Sequence, residues 1–521
     1  MTDVPPAAPA PDPPRTIFLE LTSACNMHCA FCPSDVLRRP KRHLADARSK
    51  SFLDQIHALG LRPPVLLNVL GEPLLNKKVY PLLDELEAAG HPVTLITNMT
   101  LLGDGEIRRE LLRHGNLTLA LSLQTATPRS YEMRGYDRLP FKAYEKILWT
   151  VVEDKFRQKS GSRLEIHVAS NFVMTRDATI QADGGLDLWA NFPDEKTERL
   201  WIARMIRRLE RLARRMKRTY PEAFASARTA AAAKYRDHIG TKIAVDRAGL
   251  PPDFHRLKDE VFWGYMALPD VFLVFKSFEL WTRDRAFLRA AFPPGRFAYV
   301  EERIDPRPCV MADNLGLLAD GKIVFCCLDY EGEMNLGDID QTAVADILRS
   351  ERRSAVRRDA MAEALCRRCR GNLFVFDTAL RPGATEEPVD KFGRGFWPRE
   401  DDLHGVGGRW TNGKAWAYVF ARFPARRIRL SFRSDFEDGA PIRLAISAYD
   451  PTSDGFPAVS GSWPTTGRKE RTVEFEADFD FRPGRLYRIE IDSPSFVPDD
   501  TLRNGDTRRL GLAVFSLSIR T

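Results

Sequence analysis

Three cysteines crowd into the stretch Cys25-Asn26-Met27-His28-Cys29-Ala30-Phe31-Cys32-Pro33, spaced x3 and then x2. Thiols at that spacing can converge on one metal centre. Three ligands are one short of a closed tetrahedral zinc site. A four-iron cluster held by three cysteines keeps one iron open for a small molecule. A second set lies far downstream: Cys309, Cys326, Cys366 and Cys369. Its last pair has the tight x2 spacing of a metal clamp. Asp320-Gly321 between apolar runs signals a hairpin that returns Cys326 towards Cys309. Four thiolates suit structural zinc or a fully ligated iron–sulfur cluster, and spacing does not separate the two. Cys327 is the eighth cysteine, beside an expected ligand, and reads as a packed thiol or a surrogate ligand.

Loops of this kind need a scaffold, and the surrounding pattern supplies one. Candidate strands are residues 17–21, 65–70, 93–97, 117–124 and 164–174. Between them Phe52, Leu53, Ile56 and Leu59 keep helical spacing, as do Val79, Leu82, Leu83 and Leu86. Gly60 and Gly90 follow where helix-ending glycines belong. Alternating strands and helices predict a parallel sheet with right-handed crossovers and chemistry at the strands' carboxyl ends. The cysteine loop follows the first strand. Gly71-Glu72-Pro73 follows the second, Thr97-Asn98 closes the third, and Ser122-Leu123-Gln124-Thr125 closes the fourth. Arg134-Gly135 comes next, and Asn171 and Val173 lie on the fifth.

Together these features resemble the radical S-adenosylmethionine (SAM) enzymes over roughly residues 15–174. The resemblance implies a partial (β/α) TIM-type barrel and a [4Fe–4S] cluster on Cys25, Cys29 and Cys32. Phe31, before the last cysteine, also belongs to the family pattern. It further implies that SAM is held by Gly71, Glu72, Pro73, Asn98, Ser122, Gln124, Arg134, Asn171 and Val173. Arg134 would pair with the SAM carboxylate. The segment around Cys309, the Gly321-to-Cys326 spacing, Leu336-Gly337-Asp338 and Cys366-x2-Cys369 is similar to the SPASM-type extension of that family. It implies one auxiliary [4Fe–4S] cluster on Cys309, Cys326, Cys366 and Cys369. The fuller pattern continues with further cysteines, and none follows Cys369 here. In this chemistry Cys327 acquires a third reading, as hydrogen-atom donor to a substrate radical.

The 521 residues divide into a Pro/Ala-rich tail (1–14), the barrel (15–305), a SPASM-like domain (306–382), a linker (383–404) and a β-sandwich (405–521). A basic helical insertion is expected at about 198–254, with Arg204, Arg207, Arg208, Arg211, Arg214, Arg215 and Arg218 crowding the faces beside the apolar stripe Trp201, Met205, Leu209, Leu212 and Met216, and a second helical segment from about 222 to 236. Residues 271–275 read as the strand returning to the sheet. In the sandwich, Arg427–Phe432 and Leu486–Ile491 alternate cleanly. Trp410, Trp416 and Trp463 suit core packing or stacking on sugar rings. Gly408-Arg409-Trp410-Thr411 near its start and Asp506-Thr507-Arg508-Arg509-Leu510-Gly511 near its end resemble a sandwich module appended to bacterial polysaccharide-biosynthesis proteins.

Composition is ordinary, with 44% hydrophobic and 29% charged residues, and the net charge of +7 does not call for nucleic acid. No apolar run is long enough for a membrane span, and the tail lacks the features of a signal peptide, so the expected compartment is the cytoplasm. The resemblance implies reductive cleavage of SAM to a 5′-deoxyadenosyl radical, with electrons from a flavodoxin- or ferredoxin-type reductant. The expected substrate is a sugar or glycan-linked molecule; a peptide is the alternative, although no leader-binding module precedes Cys25. A metal-stabilised, non-catalytic glycan-binding scaffold is the non-enzyme reading.

Overall fold

The computed structural model describes residues 13–169, 180–182, 191–193, 195–222, 254–256, 263–268, 270–276, 295–302, 313–358, 363–369, 372–389, 391–397, 400, 403–434, 441–450, 456, 459–466, 472–498 and 508–521. The chain forms two compact units: residues 1–175, 189–291 and 306–369 in one, the remainder in the other.

The first unit alternates strands and helices as the periodicity predicts. Its elements run β1 (Ile17–Leu19), α1 (Asp46–Ala58), β2 (Val65–Leu66), α2 (Val79–Ala88), β3 (Val93–Thr97), α3 (Gly105–Leu112), β4 (Leu117–Gln124), α4 (Phe141–Arg157) and β5 (Arg163–Ala169). Then follow α5 (Glu195–Thr219), β6 (Phe254–Arg256), β7 (Trp263–Leu268), β8 (Val271–Lys276), β9 (Leu315–Leu317), β10 (Lys322–Val324) and β11 (Gly337–Asp338). They build one sheet in the order β11-β10-β9-β1-β2-β3-β4-β5-β8-β7-β6. All pairings from β9 through β8 are parallel, with Val93 opposite Leu117 and Leu164 opposite Val271. The edges are antiparallel hairpins. This is the open, barrel-like parallel sheet expected of the α/β pattern, and β8 is the returning strand.

Both helix faces and strands close over one core. Phe52, Leu53 and Ile56 of α1 and Leu83 and Leu86 of α2 are fully buried beside Leu95, Leu119 and Ile166. Burying a side chain of this size contributes about 1.5–3 kcal/mol. β1 and β2 are shorter than expected because the chain turns early, after Leu19 and Leu66, into the loops that carry Cys25 and Gly71. The insertion helix begins at Glu195, and its apolar stripe, Ile202, Met205, Ile206, Leu209, Leu212 and Met216, joins this core. The second helical segment, from Ala223 onward, lies outside the described residues.

The second unit is the all-β part. One sheet orders Glu386–Pro388, Ala513–Arg520, Ala425–Arg433 and Val473–Phe481, with Arg409–Trp410 attached. The other orders Lys391–Phe392, Lys414–Phe420, Leu486–Asp492, Pro441–Ala448 and Gly461–Thr466. Inward residues of both, among them Val419, Leu430, Leu444 and Ile489, share one core, as alternation in a sandwich requires. Residues 383–404, expected as a linker, instead contribute an edge strand to each sheet. Short strands with few alternating residues carry too little pattern to read. Phe297–Glu302 and Asn372–Asp377, expected in the barrel and SPASM-like domains, pair with each other and with Ile180–Ala182, and Phe374 and Phe376 pack on Tyr418 and Phe420.

Candidate active site

The cysteine loop is pinned from three sides by backbone and amide groups. Cys32 N donates to Cys29 O (2.9 Å), closing the tight end of the loop. Ala30 N donates to Met133 O (2.8 Å) and His28 N to Arg134 O (3.2 Å). Gly135 follows Arg134 at φ 56°, and a Cβ there would lie 2.4 Å from His28 O. Gly71 takes φ 77°, and its Cβ would meet Thr22 O at 2.2 Å and Ala24 O at 2.7 Å. Both positions therefore need glycine: the backbone is left-handed and the cysteine loop lies directly on it.

Loss of water raises the thiol pKa of Cys25 and Cys29, and Cys32 is pushed up to about 12. Such thiols are poor free nucleophiles; bound iron would take them as thiolates outright. Among the described residues no three His, Cys, Asp or Glu side chains gather round a single metal ion. A cubane cluster asks for something different, since each thiolate binds its own iron.

Glu72 organises the strand ends. Its buried carboxylate accepts from Leu74 N (3.2 Å), Thr97 Oγ1 (2.8 Å) and Asn98 N (2.6 Å). Burial nonetheless pushes its pKa up to about 7, the three hydrogen bonds and Arg134 pulling the other way. Asn98 Nδ2 donates to Asn26 Oδ1 (2.7 Å), and Asn26 Nδ2 to Thr100 Oγ1 (2.8 Å). The side chains of Glu72 and Asn98 thus fasten β2, β3 and the cysteine loop together. Met99 (φ 68°) and Gln124 (φ 54°) turn left-handed just after β3 and at the end of β4. Non-glycine residues held there mark sites where geometry is over-determined.

Arg134 lies beneath the loop. It is 2% exposed. Its Nη2 donates to Tyr144 Oη (3.4 Å) and Met27 Sδ (3.2 Å), its guanidinium stands 5.9 Å from the Phe31 ring centre, and its Nε is buried without a partner. Burial opposes its charge, but Cys29, Tyr144 and Cys25 hold its pKa above the ordinary arginine value. A buried guanidinium with no carboxylate partner among the described residues calls for an anion. The residues present fit a cluster with an anionic ligand beside it.

Tyr144 and Asn191 carry no motif and escaped the sequence reading. The Tyr144 hydroxyl reaches the carbonyls of Ser122 (2.8 Å) and Asn98 (3.0 Å). Asn191 Nδ2 donates to Gln124 O (2.8 Å) and Ala169 O (2.7 Å), joining the ends of β4 and β5. Ser122 and Gln124 are both nearly buried at that junction. Glu20 was missed as well: fully buried, it pairs with Arg39 and accepts from Ala319 N (2.9 Å), tying β1 to the segment that carries Cys326. Asn171 and Val173 lie outside the described residues.

The second thiol set occupies different surroundings. Cys326 and Cys366 are buried in one apolar cluster with Phe325, Met334 and Val356, and Cys366 Sγ lies 3.7 Å from Met334 Sδ. The adjacent Cys327 thiol, then burial, pushes the Cys326 thiol well above its usual range. Cys369 closes the helix Ala364–Cys369, and Cys309 lies outside the described residues. Cys327 packs elsewhere, against the cluster of Phe18, Val69, Leu70 and Tyr330 that also receives Cys32. The vicinal pair thus touches two apolar clusters, with the Cys327 thiol still within hydrogen-bond reach of Cys326.

Two family models match the chain: the Radical SAM superfamily over residues 19–157 and SPASM, an iron–sulfur cluster-binding domain, over 309–370. A stretch of 120 residues is 32% identical to the AdoMet-dependent heme synthase of Methanosarcina barkeri, covering 23% of this chain and 34% of that protein. Another of 140 residues is 29% identical to the 7-carboxy-7-deazaguanine synthase of Rhodopirellula baltica, covering 26% and 50%. The chain therefore spans a third to a half of the curated relatives it matches. The solved structure of BtrN in complex with AdoMet and 2-DOIA aligns at TM-score 0.31 and 13% identity, over 66% of this chain and 85% of that one. Both family segments coincide with the two thiol sets, so the cofactors they bring are a [4Fe–4S] cluster with SAM at the first and an auxiliary iron–sulfur cluster at the second. The chain thus carries a radical SAM domain over residues 19–157 and a SPASM extension over residues 309–370.

Proposed function

We propose that this chain is a radical SAM enzyme that abstracts a hydrogen atom from a sugar or glycan-linked substrate, leading to oxidation, epimerisation or rearrangement in polysaccharide biosynthesis. The observation that carries the first half is Arg134, a buried, carboxylate-free guanidinium set among Cys25, Cys29 and Phe31. When bound, the cluster and SAM supply a 5′-deoxyadenosyl radical after one-electron reduction by an external flavodoxin- or ferredoxin-type protein. Cys25, Cys29 and Cys32 would hold the cluster, three thiolates for four irons. Arg134 neutralises the SAM carboxylate through a charge-assisted bond. Gly71, Glu72 and Pro73 would offer backbone to the SAM amino group, and Ser122 and Gln124 would offer polar groups to its ribose. Buried Leu123, Tyr131 and Met27 keep water from the site. Cys309, Cys326, Cys366 and Cys369 hold the auxiliary cluster.

Support for a sugar comes from the sandwich. The half-buried Trp416 ring lies under Arg488 (4.6 Å) and Arg394 (5.6 Å), with Phe456 5.0 Å from Arg488. Trp416 Nε1 and Arg488 Nε are buried without partners. A ring with unspent donors beside it suits a hydroxylated ligand. Trp410, by contrast, is core, packed with Leu403, Leu510 and Ala513.

The test is anaerobic reconstitution with iron, sulfide, dithionite and SAM, scored for 5′-deoxyadenosine and methionine across panels of nucleotide sugars, lipid-linked glycans and peptides. Arg134→Gln is expected to weaken SAM binding about tenfold to a hundredfold. Clusters assembled in full without any 5′-deoxyadenosine from any panel would overturn the reading; turnover confined to peptides would overturn its sugar half.

A further inference from the structure

Away from the thiol sites, α5 turns a line of charge to solvent. Arg204, Arg207, Arg211, Arg214 and Arg218 repeat at alternating three- and four-residue intervals and are all exposed. At 3.6 residues per turn they share one face within about 80° of arc and run about 21 Å along the axis. None of the five has an ion pair or hydrogen bond among the described residues. Of the nearby carboxylates Glu145 takes Arg208, which stacks on Trp149 at 4.0 Å, and Glu153 takes Arg215, while the exposed Glu210 flanks the row beside Arg214 and leaves it strongly positive. Between α4 and α5 a cavity of about 790 Å³ is lined by Trp149, Glu153, Arg208, Arg211, Arg214 and Arg218.

We propose that this face of α5 docks the protein on the anionic surface of a lipid bilayer. Unpaired arginines in such number repel one another and gain from phosphate, whose geometry a guanidinium matches. A straight row meets a flat anionic surface all at once. The helix keeps its apolar face for the protein: Ile202, Met205, Ile206, Leu209, Leu212 and Met216 are at most 7% exposed. Contact is therefore electrostatic adsorption, not insertion of an amphipathic helix. Leu200, four residues before Arg204 on the same face, is 47% exposed, one of four large exposed hydrophobics among the described residues. Lys196 continues the line behind it. An apolar tip heading a basic row fits the acyl boundary of a membrane. Among the described residues no exposed aromatic ring flanks the row to stack bases, so nucleic acid fits it less well. The cavity beside Arg211 and Arg214 has room for a lipid headgroup phosphate.

The reconstituted full-length protein is tested by co-sedimentation with vesicles of phosphatidylcholine alone or with about a third phosphatidylglycerol. Binding is expected with the anionic vesicles alone and is expected to fall as salt rises. The triple change Arg204→Gln, Arg211→Gln and Arg218→Gln should weaken it about a hundredfold, about fivefold per arginine, while the matching lysine triple retains most of it. Iron content reports that each variant has folded. Leu200→Ser should weaken vesicle binding about fivefold and leave binding of inorganic polyphosphate unchanged. Protein that ignores anionic vesicles, or a glutamine triple that binds them as well as the parent, overturns the proposal. So does tighter binding of a single-stranded oligonucleotide than of vesicles in the same salt, which would assign the row to nucleic acid.

Discussion

The two thiol sites are held by opposite means. Around Cys25, Cys29 and Cys32, order comes from polar groups: Glu72, Asn98, Asn26 and the backbone of Met133 and Arg134 pin the loop. Around Cys326 and Cys366, order comes from apolar packing with Phe325, Met334 and Val356. A hydrogen-bonded loop has defined directions and can present an open iron and a charged ligand in register. An apolar pocket excludes water without aiming anything. The first suits a site where a small molecule must bind, and the second a cluster that is enclosed.

The contrast breaks most sharply if thiols are removed one set at a time. Cys25→Ala, Cys29→Ala or Cys32→Ala should abolish 5′-deoxyadenosine formation and remove about half of the bound iron, as one proposed cluster on each set requires. Cys326→Ala or Cys366→Ala should remove the other half and spare SAM cleavage without substrate. Iron and sulfide counts beside product assays check both.

Next in size is the polar network. Glu72→Ala orphans Thr97 Oγ1 and the amides of Leu74 and Asn98, at a cost of about 3 kcal/mol, measured as a shift in the denaturation midpoint of the cluster-free protein. The same residue gives a pH signature. Its folded pKa of about 7 lies above the unfolded value near 4.5. The folded state therefore binds the extra proton, and this contribution is complete below pH 4.5 and lost as pH rises to about 7. Cluster-free protein should lose on the order of 3 kcal/mol across that window, and Glu72→Gln should flatten the slope. A slope of the opposite sign would mean that the hydrogen bonds outweigh burial.

Cys327→Ala is expected to have the smallest effect. A packed thiol beside Phe18 and Val69 is worth about 1 kcal/mol of stability, and both SAM cleavage and substrate turnover should persist. Loss of turnover with SAM cleavage intact would instead support the hydrogen-donor role.

Periodicity carried the helices and the long strands because burial on one face leaves a repeat in the chain. Val93–Thr97 and Leu117–Gln124 form at the expected residues. Strands of two or three residues, such as Lys391–Phe392, have no repeat to read, and the supposed linker was misjudged for that reason. Asn191 and Tyr144 were invisible because their partners are backbone carbonyls of other strands, which any sequence supplies.

Residue types and spacing point to the three-thiol loop, because metal ligation accepts few alternatives, and the resemblance to radical SAM enzymes adds its glycine neighbours and the arginine that follows. Which polar side chains brace that loop and which remain to bind is settled on folding. Glu72 and Asn98 are spent on strand ends, Arg134 is left without a carboxylate, and Cys326 and Cys327 face different clusters. Those assignments depend on contacts between segments far apart in the chain, and local pattern does not encode them.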